Sequence, residues 1–122
     1  MEYNDQRAIY LQIADMICEK VLTESWKGND RIPSVRELAS DFQVNPNTVM
    51  RTYSFLQQEE IIFNKRGIGY FLSEEAKQKT LDLKKQEFLE KELPQFINKL
   101  SMLGYRISDI QSLIKKNGNE DK

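Results

Sequence analysis

Two short amphipathic segments, each opened by its own start signal and separated by a few residues, constrain this chain more than any other feature. Ile32-Pro33-Ser34 precedes the first: Pro33 disfavours α geometry at Ile32, and Ser34 with Glu37 three residues on has the spacing of a capping box. The segment Val35 to Phe42 gathers Leu38, Ala39 and Phe42 on one side, but two turns of helix do not persist without a neighbour to pack on. Gln43-Val44-Asn45 makes the connection, and Asn45-Pro46 opens the second segment, with Asn as cap and Pro in the first turn, where its missing N–H costs nothing. From Pro46 to about Glu59, Val49, Tyr53 and Leu56 fall on one side with Thr52 beside them, while Asn47, Met50, Arg51 and Ser54 fall on the other. The spacing predicts two helices docked on a common core, with a small, polar and basic face of the second left for something else.

The rest of the chain supplies that core. Ile9, Ile13, Met16, Ile17, Val21 and Leu22 predict an amphipathic helix over Ile9 to Trp26, broken at Gly28-Asn29-Asp30. After the helical pair, Ile61-Ile62-Phe63-Asn64 and Tyr70-Phe71-Leu72 are β-prone runs around Lys65-Arg66-Gly67-Ile68-Gly69, which predicts a short hairpin with a positive tip. From Ser73 the composition changes to charged helix with a seam of Leu81, Phe88, Leu89, Leu93, Phe96, Ile97, Leu100 and Leu103. An unbroken helix from Glu74 to Met102 would span roughly 40 Å, but Pro94 removes one backbone bond and clashes with the Glu90 carbonyl, so a kink or break is expected there. Gly104 can end the helix, Ser108 with Gln111 reads as a second capping box, and Ile107, Ile110, Leu113 and Ile114 give a last short helix. The expected fold class is mostly α with a small β-hairpin. The expected organisation is a first domain over residues 1–72, a helical segment over 73–116 and a frayed tail over 117–122.

At 122 residues the chain has the length of one compact unit, which excludes a large multi-domain enzyme. Lys plus Arg total 18 and Asp plus Glu 19, a formal charge of −1, so any nucleic-acid site must be a local patch. The apolar runs fall far short of the roughly 18 to 20 residues that cross a bilayer, and MEYNDQRAIY lacks a signal peptide's basic start and apolar centre; a cytoplasmic protein with no membrane partner is expected. There is no histidine, and Cys18 is the single cysteine, which removes Cys/His zinc sites and imidazole catalysis. Cys18 lies between Ile17 and Val21 and reads as a small core residue. Glu59-Glu60 and Glu74-Glu75 read as solvated pairs, so neither metal nor other cofactor is expected. Without a nucleophile beside a base or a phosphate-cradling glycine loop, the chain is not expected to be an enzyme.

Two short helices joined by a tight turn and followed by a basic hairpin are the parts of a winged helix-turn-helix. In that arrangement the second helix enters the major groove of double-stranded DNA and the hairpin reaches toward the backbone or minor groove. Asn47 and Thr48 lie in the first turn of that helix, where free N–H groups and the positive end of the helix dipole favour phosphate, and their side chains can bond phosphate or base edges. Arg51, a turn further on, can fork onto guanine or phosphate, or pair with glutamates on the helix surface. Arg36 is placed for a phosphate, and Lys65 with Arg66 arms the hairpin tip, where Gly67 lets the backbone approach closely.

The stretch IPSVRELASDFQVNPNTVMRTYSFLQQEEIIFNKRGIGYFL resembles the N-terminal domain of GntR-family transcription regulators, and VNPNTV followed by a short helical tail resembles the YtrA subfamily. The likeness covers Ile9 to Leu72, and the tail only by length and helix content. It implies DNA contacts at Arg36, Asn45, Asn47, Thr48, Arg66 and Gly67, with Arg51 added and Ser34 and Glu37 holding the local frame. The family usually has glycine in place of Gln43 and Glu60, and many members have arginine in place of Pro46 or Met50; the latter departures bear on the operator sequence rather than the binding mode. It also implies a repressor that occludes a promoter, with a neighbouring transporter operon as target.

The leucine-rich tail can pack on its own domain or form a homodimer. A helix of about thirty residues cannot bury an apolar stripe on a two-turn neighbour, which favours an isologous dimer through Phe88, Leu89, Leu93, Phe96, Ile97 and Leu100. Two recognition helices related by a two-fold axis would read an inverted repeat. A small-molecule effector is not evident, since two helices hardly enclose a pocket, though one could form between protomers. The rival reading is a winged-helix module that assembles proteins and does not read DNA sequence.

Overall fold

In a computed structural model that describes residues 7–118, the chain forms α1 (Ile9–Leu22), α2 (Val35–Phe42), α3 (Pro46–Gln58), a hairpin of β1 (Ile62–Lys65) and β2 (Gly69–Leu72), α4 (Ala76–Glu87), a π-helical turn (Phe88–Glu92), α5 (Leu93–Met102) and α6 (Ile107–Lys116). Contacts divide it into a unit through Lys84 and a second unit from Lys85 onward. Asn117 and Gly118 form a turn after α6, and the remainder of the expected tail, 119–122, lies outside the described residues.

The first unit is a winged helix-turn-helix. Its core joins Ile13, Ala14, Ile17, Cys18 and Val21 of α1 to Leu38 and Ala39 of α2, Val49, Tyr53 and Leu56 of α3, Ile32, and Ile61, Ile62 and Leu72 around the hairpin. The expected inward face of α3 is therefore the buried one, and Cys18 is a core residue. Tyr53 ties α3 to its surroundings: its hydroxyl donates to the Pro33 carbonyl at 2.6 Å, and its ring meets Tyr70 edge-to-face at 4.8 Å. Burial pushes this hydroxyl above the ordinary tyrosine range, with Tyr70 and Glu37 adding in the same direction, so it remains a donor.

The hairpin pairs Ile62 with Leu72, Phe63 with Phe71, Asn64 with Tyr70 and Lys65 with Gly69. A third short edge was not expected: Arg31 bridges Phe71, the Ile32 N–H donates to Tyr70, and the Leu72 N–H donates to Asp30. The helix α1 ends at Leu22 rather than Trp26, because Glu24 takes a left-handed turn (φ 61°); the Trp26 N–H returns to the Lys20 carbonyl, and the indole packs on the core from the loop.

The turn between α2 and α3 keeps its left-handed geometry without glycine, with φ 56° and ψ 48° at Gln43. An L side chain there costs about 1–2 kcal/mol, of which glycine's larger unfolded-state entropy would return a part. The variant Gln43→Gly is expected to be more stable by about 0.5–1 kcal/mol, read as a higher urea midpoint at unchanged slope; an unchanged midpoint would mean that the strain is relieved elsewhere.

Within the first unit, α4 buries Ala76 and Thr80, and Leu83 packs at the core's margin. Around this strip, Lys77 pairs with Glu24, Lys79 with Glu60 at 2.9 Å, and Lys84 and Arg7 both reach Asp15. The outermost pairs are solvent-exposed and contribute little, so the buried strip carries the docking. The Thr80 hydroxyl is buried without a hydrogen-bond partner among the described residues. Replacing it with a methyl of the same shape removes an unpaid desolvation cost: Thr80→Val is expected to raise stability by about 1 kcal/mol and Thr80→Ser to lower it, in paired thermal melts.

In the second unit, Pro94 neither breaks the helix nor ends it. The Leu93 N–H bonds the Phe88 carbonyl five residues back, a widening just before Pro94 that makes room at the Glu90 carbonyl, and α5 follows with Pro94 in its first turn. The helix α5 closes at Gly104 with bonds from the Gly104 N–H to Ser101 and from the Tyr105 N–H to Leu100, the paired geometry of a Schellman motif. The start expected at Ser108 is corrected: α6 begins at Ile107, and the Asp109 carboxylate accepts the Arg106 N–H at 2.9 Å, so Ser108 and Gln111 lie inside the helix. Phe88, Leu89, Phe96 and Ile97 are each about half exposed, while Leu93 and Leu100 are partly covered. Among the described residues no helix is long and apolar enough to cross a membrane.

Candidate nucleic-acid interface

The first unit carries every residue that the sequence marks for DNA. At the start of α2 the capping box is complete: the Glu37 N–H donates to Ser34 Oγ at 3.1 Å, and the Ser34 N–H donates to Glu37 Oε1 at 2.8 Å. That backbone N–H, then the Ser34 side chain and the charge of Arg31, hold the Glu37 carboxyl below its ordinary range. The cap fixes the first turn of α2, and Arg36 projects from it into solvent, beside an open groove lined by Ala39, Ser40, Gln43, Val44 and Pro46.

The start of α3 differs from expectation in one respect. Asn45 Oδ1 accepts the Asn47 N–H at 2.7 Å, the Asn45 carbonyl accepts the Thr48 N–H at 2.9 Å, and Pro46 has no N–H to give. The N–H groups of Asn47 and Thr48 are thus already partnered, which leaves the Asn45 amide nitrogen and the Asn47 and Thr48 side chains as the polar groups this turn could offer to a phosphate. Asn47, Met50, Arg51 and Ser54 are all exposed, as the helical spacing requires. Thr52, buried on the opposite side, donates to the Tyr10 carbonyl at 2.7 Å and ties α3 to α1. Among the described residues the Arg51 guanidinium does not pair with a glutamate; its Cζ lies 4.1 Å from the centroid of the Tyr10 ring, a cation–π contact that holds it on the α1 side of α3.

On the wing, Lys65 closes β1 with its Nζ 4.9 Å from the Phe71 ring, which itself stacks on Phe63 at 5.8 Å. Arg66 is exposed in the turn, and Gly67 takes φ 79°, which the tight return of the chain requires. Sequence reasoning missed Arg31. Its guanidinium lies across Gly69, where a Cβ would stand 3.1 Å from Arg31 Nε and 3.2 Å from Nη2. A Cβ there would press the guanidinium aside by a few tenths of an ångström, and φ 144° also favours glycine; the arrangement brings a third exposed cation to the wing beside Lys65 and Arg66. The available signal was a basic residue directly before Ile32-Pro33, but its pairing with β2 is a tertiary fact.

Comparison with known proteins agrees with this construction. The family model of the bacterial regulatory proteins, gntR family, matches residues 9–72. The HTH-type transcriptional regulator YhcF of Bacillus subtilis is 34% identical over 114 residues, covering 93% of this chain and 93% of that protein. The HTH-type transcriptional repressor YtrA of the same organism is 38% identical over 108 residues, covering 88% of this chain and 82% of its own. Among solved structures, a transcriptional regulator of the GntR family from Bacteroides thetaiotaomicron superposes with a TM-score of 0.78 at 45% identity, covering 92% of this chain and 97% of that one.

Proposed function

This chain belongs to the GntR family of bacterial DNA-binding transcription regulators, and from that premise we propose that it is a cytoplasmic, homodimeric repressor that occupies an inverted-repeat operator. One observation carries the reading. The chain combines an exposed polar face with Arg51 on its recognition helix and half-exposed Phe88, Leu89, Phe96 and Ile97 on its later helices. In this reading DNA is held by Arg36, Asn45, Asn47, Thr48, Arg51, Lys65, Arg66 and Gly67 in residues 1–72. The dimer forms within 73–116 through Phe88, Leu89, Leu93, Phe96, Ile97 and Leu100. Pairing two half-site contacts raises affinity without new chemistry, and a bound dimer excludes polymerase. On the family resemblance, a transporter operon is the proposed target.

Selection from random duplexes at about 150 mM salt tests this, because specific sites typically bind about 10³ or more times tighter than nonspecific DNA. The expected product is an inverted repeat bound with a steep salt dependence. Failure to enrich any sequence with a folded dimer, together with weak binding and a shallow salt slope, would favour a protein-assembly module.

A further inference from the structure

The outer face of α3 has one residue that its polar surroundings do not explain. Between Asn47 and Gln58 every other exposed position is polar or charged, yet Met50 stands 46% exposed among them. Asn47, Met50 and Ser54 fall at spacings of three and four, so Met50 sits at the middle of a single ridge along the helix. The nearest cation leaves that ridge: Arg51 is drawn onto the Tyr10 ring of α1 at 4.1 Å. The ridge that a major groove would meet is therefore Asn–Met–Ser, apolar at its centre and uncharged.

The major-groove edge of a base pair offers one apolar group, the C5-methyl of thymine; the remaining features are hydrogen-bond donors and acceptors that a thioether cannot satisfy. An unbranched, polarisable side chain with three rotatable bonds suits contact with such a methyl. We infer that Met50 reads a thymine methyl in each operator half-site, so that the operator carries a required T·A pair opposite the middle of α3. Asn47 and Ser54 bond polar groups on either side of it, and Arg51 approaches from the α1 flank. This rests on the DNA-reading function proposed above. It adds that the Asn47–Met50–Ser54 ridge selects one base by apolar contact, separately from any polar contact that Arg51 makes from the α1 flank.

Replacement of thymine by deoxyuridine deletes the methyl and leaves base pairing intact. In the operator obtained by selection, each thymine is replaced in turn, symmetrically in both half-sites, and affinity is measured by fluorescence anisotropy. For the unaltered protein one position is expected to lose affinity about 3- to 5-fold per half-site, on the order of 10-fold for the pair, as burial of one methyl implies. Met50→Ala should bind the thymine operator more weakly and be indifferent to deoxyuridine at that position, while Met50→Leu should keep the discrimination. Because Met50 is exposed and central in the helix, both variants should retain the helical circular dichroism of the parent. Strong operator binding without any deoxyuridine-sensitive position, or the same sensitivity in Met50→Ala, would overturn the inference while leaving the regulator reading intact. Absence of any operator binding would overturn both.

Discussion

Ile97→Asp is expected to yield a folded monomer with operator affinity reduced on the order of 10²- to 10⁴-fold. Ile97 is 52% exposed on α5, so in a single chain the new carboxylate stays hydrated and the helix tolerates it. Across an interface the same carboxylate would enter an apolar seam formed by two copies of Leu93, Phe96, Ile97 and Leu100, where an unpaired charge loses its hydration without recompense. Loss of the dimer removes the effective concentration, of millimolar order, that couples one half-site contact to the other, which sets the size of the affinity loss. Gln95→Glu adds the same charge on the opposite side of the helix and should remain dimeric. Sedimentation equilibrium reads the mass, and circular dichroism reads the fold. An Ile97→Asp protein that stays dimeric places the contact elsewhere; one that unfolds as a monomer shows that the seam is covered within the chain.

The parts of this architecture that local chemistry dictates were legible in the sequence. The capping box at Ser34 and Glu37, the Asn45 cap with Pro46, and the inward row Val49, Tyr53 and Leu56 each involve groups within one or two turns of one another, and all take the expected geometry. Misreadings arose where two local signals compete or where a distant partner decides. Trp26 extends the apolar spacing of α1, but the left-handed turn at Glu24 intervenes and the indole joins the core from a loop. At α6, Ser108 with Gln111 and Arg106 with Asp109 offer overlapping starts, and the carboxylate is the stronger acceptor for an N–H. Pro94 announces a disturbance without specifying its form, because a π-turn and a break both accommodate a carbonyl left without its donor and the clash of the ring. In the candidate site, the residue types were readable but not their company. Arg51 meets Tyr10 from another helix, Arg31 finds its seat on Gly69 of the hairpin, and Asn45 occupies the N–H that a phosphate was expected to take.

Arg66→Ala and Arg51→Ala are expected to weaken operator binding in different ways while leaving the dimer intact. Arg66 lies exposed in the wing turn beside Gly67, clear of any described carboxylate within ion-pair distance, which suits a contact with backbone phosphate or the minor groove. A phosphate contact carries no sequence information. Its loss should lower affinity for operator and nonspecific duplex alike and reduce the slope of log K against log salt by about 1 for each half-site. Arg51 projects from the recognition helix, where a forked contact to a base contributes about 1–3 kcal/mol of discrimination per half-site. Its removal should therefore narrow the gap between operator and nonspecific DNA as well as reduce affinity. The Tyr10 contact adds a dependence that a freely extended arginine would lack: Tyr10→Leu removes the ring beneath the guanidinium and should reproduce part of the Arg51→Ala loss. Salt titrations on the operator and on a scrambled duplex separate the two patterns. Unchanged affinity in both Arg51→Ala and Arg66→Ala would overturn the assigned face, since Arg51 is the cation of α3 and Arg66 the cation of the wing turn.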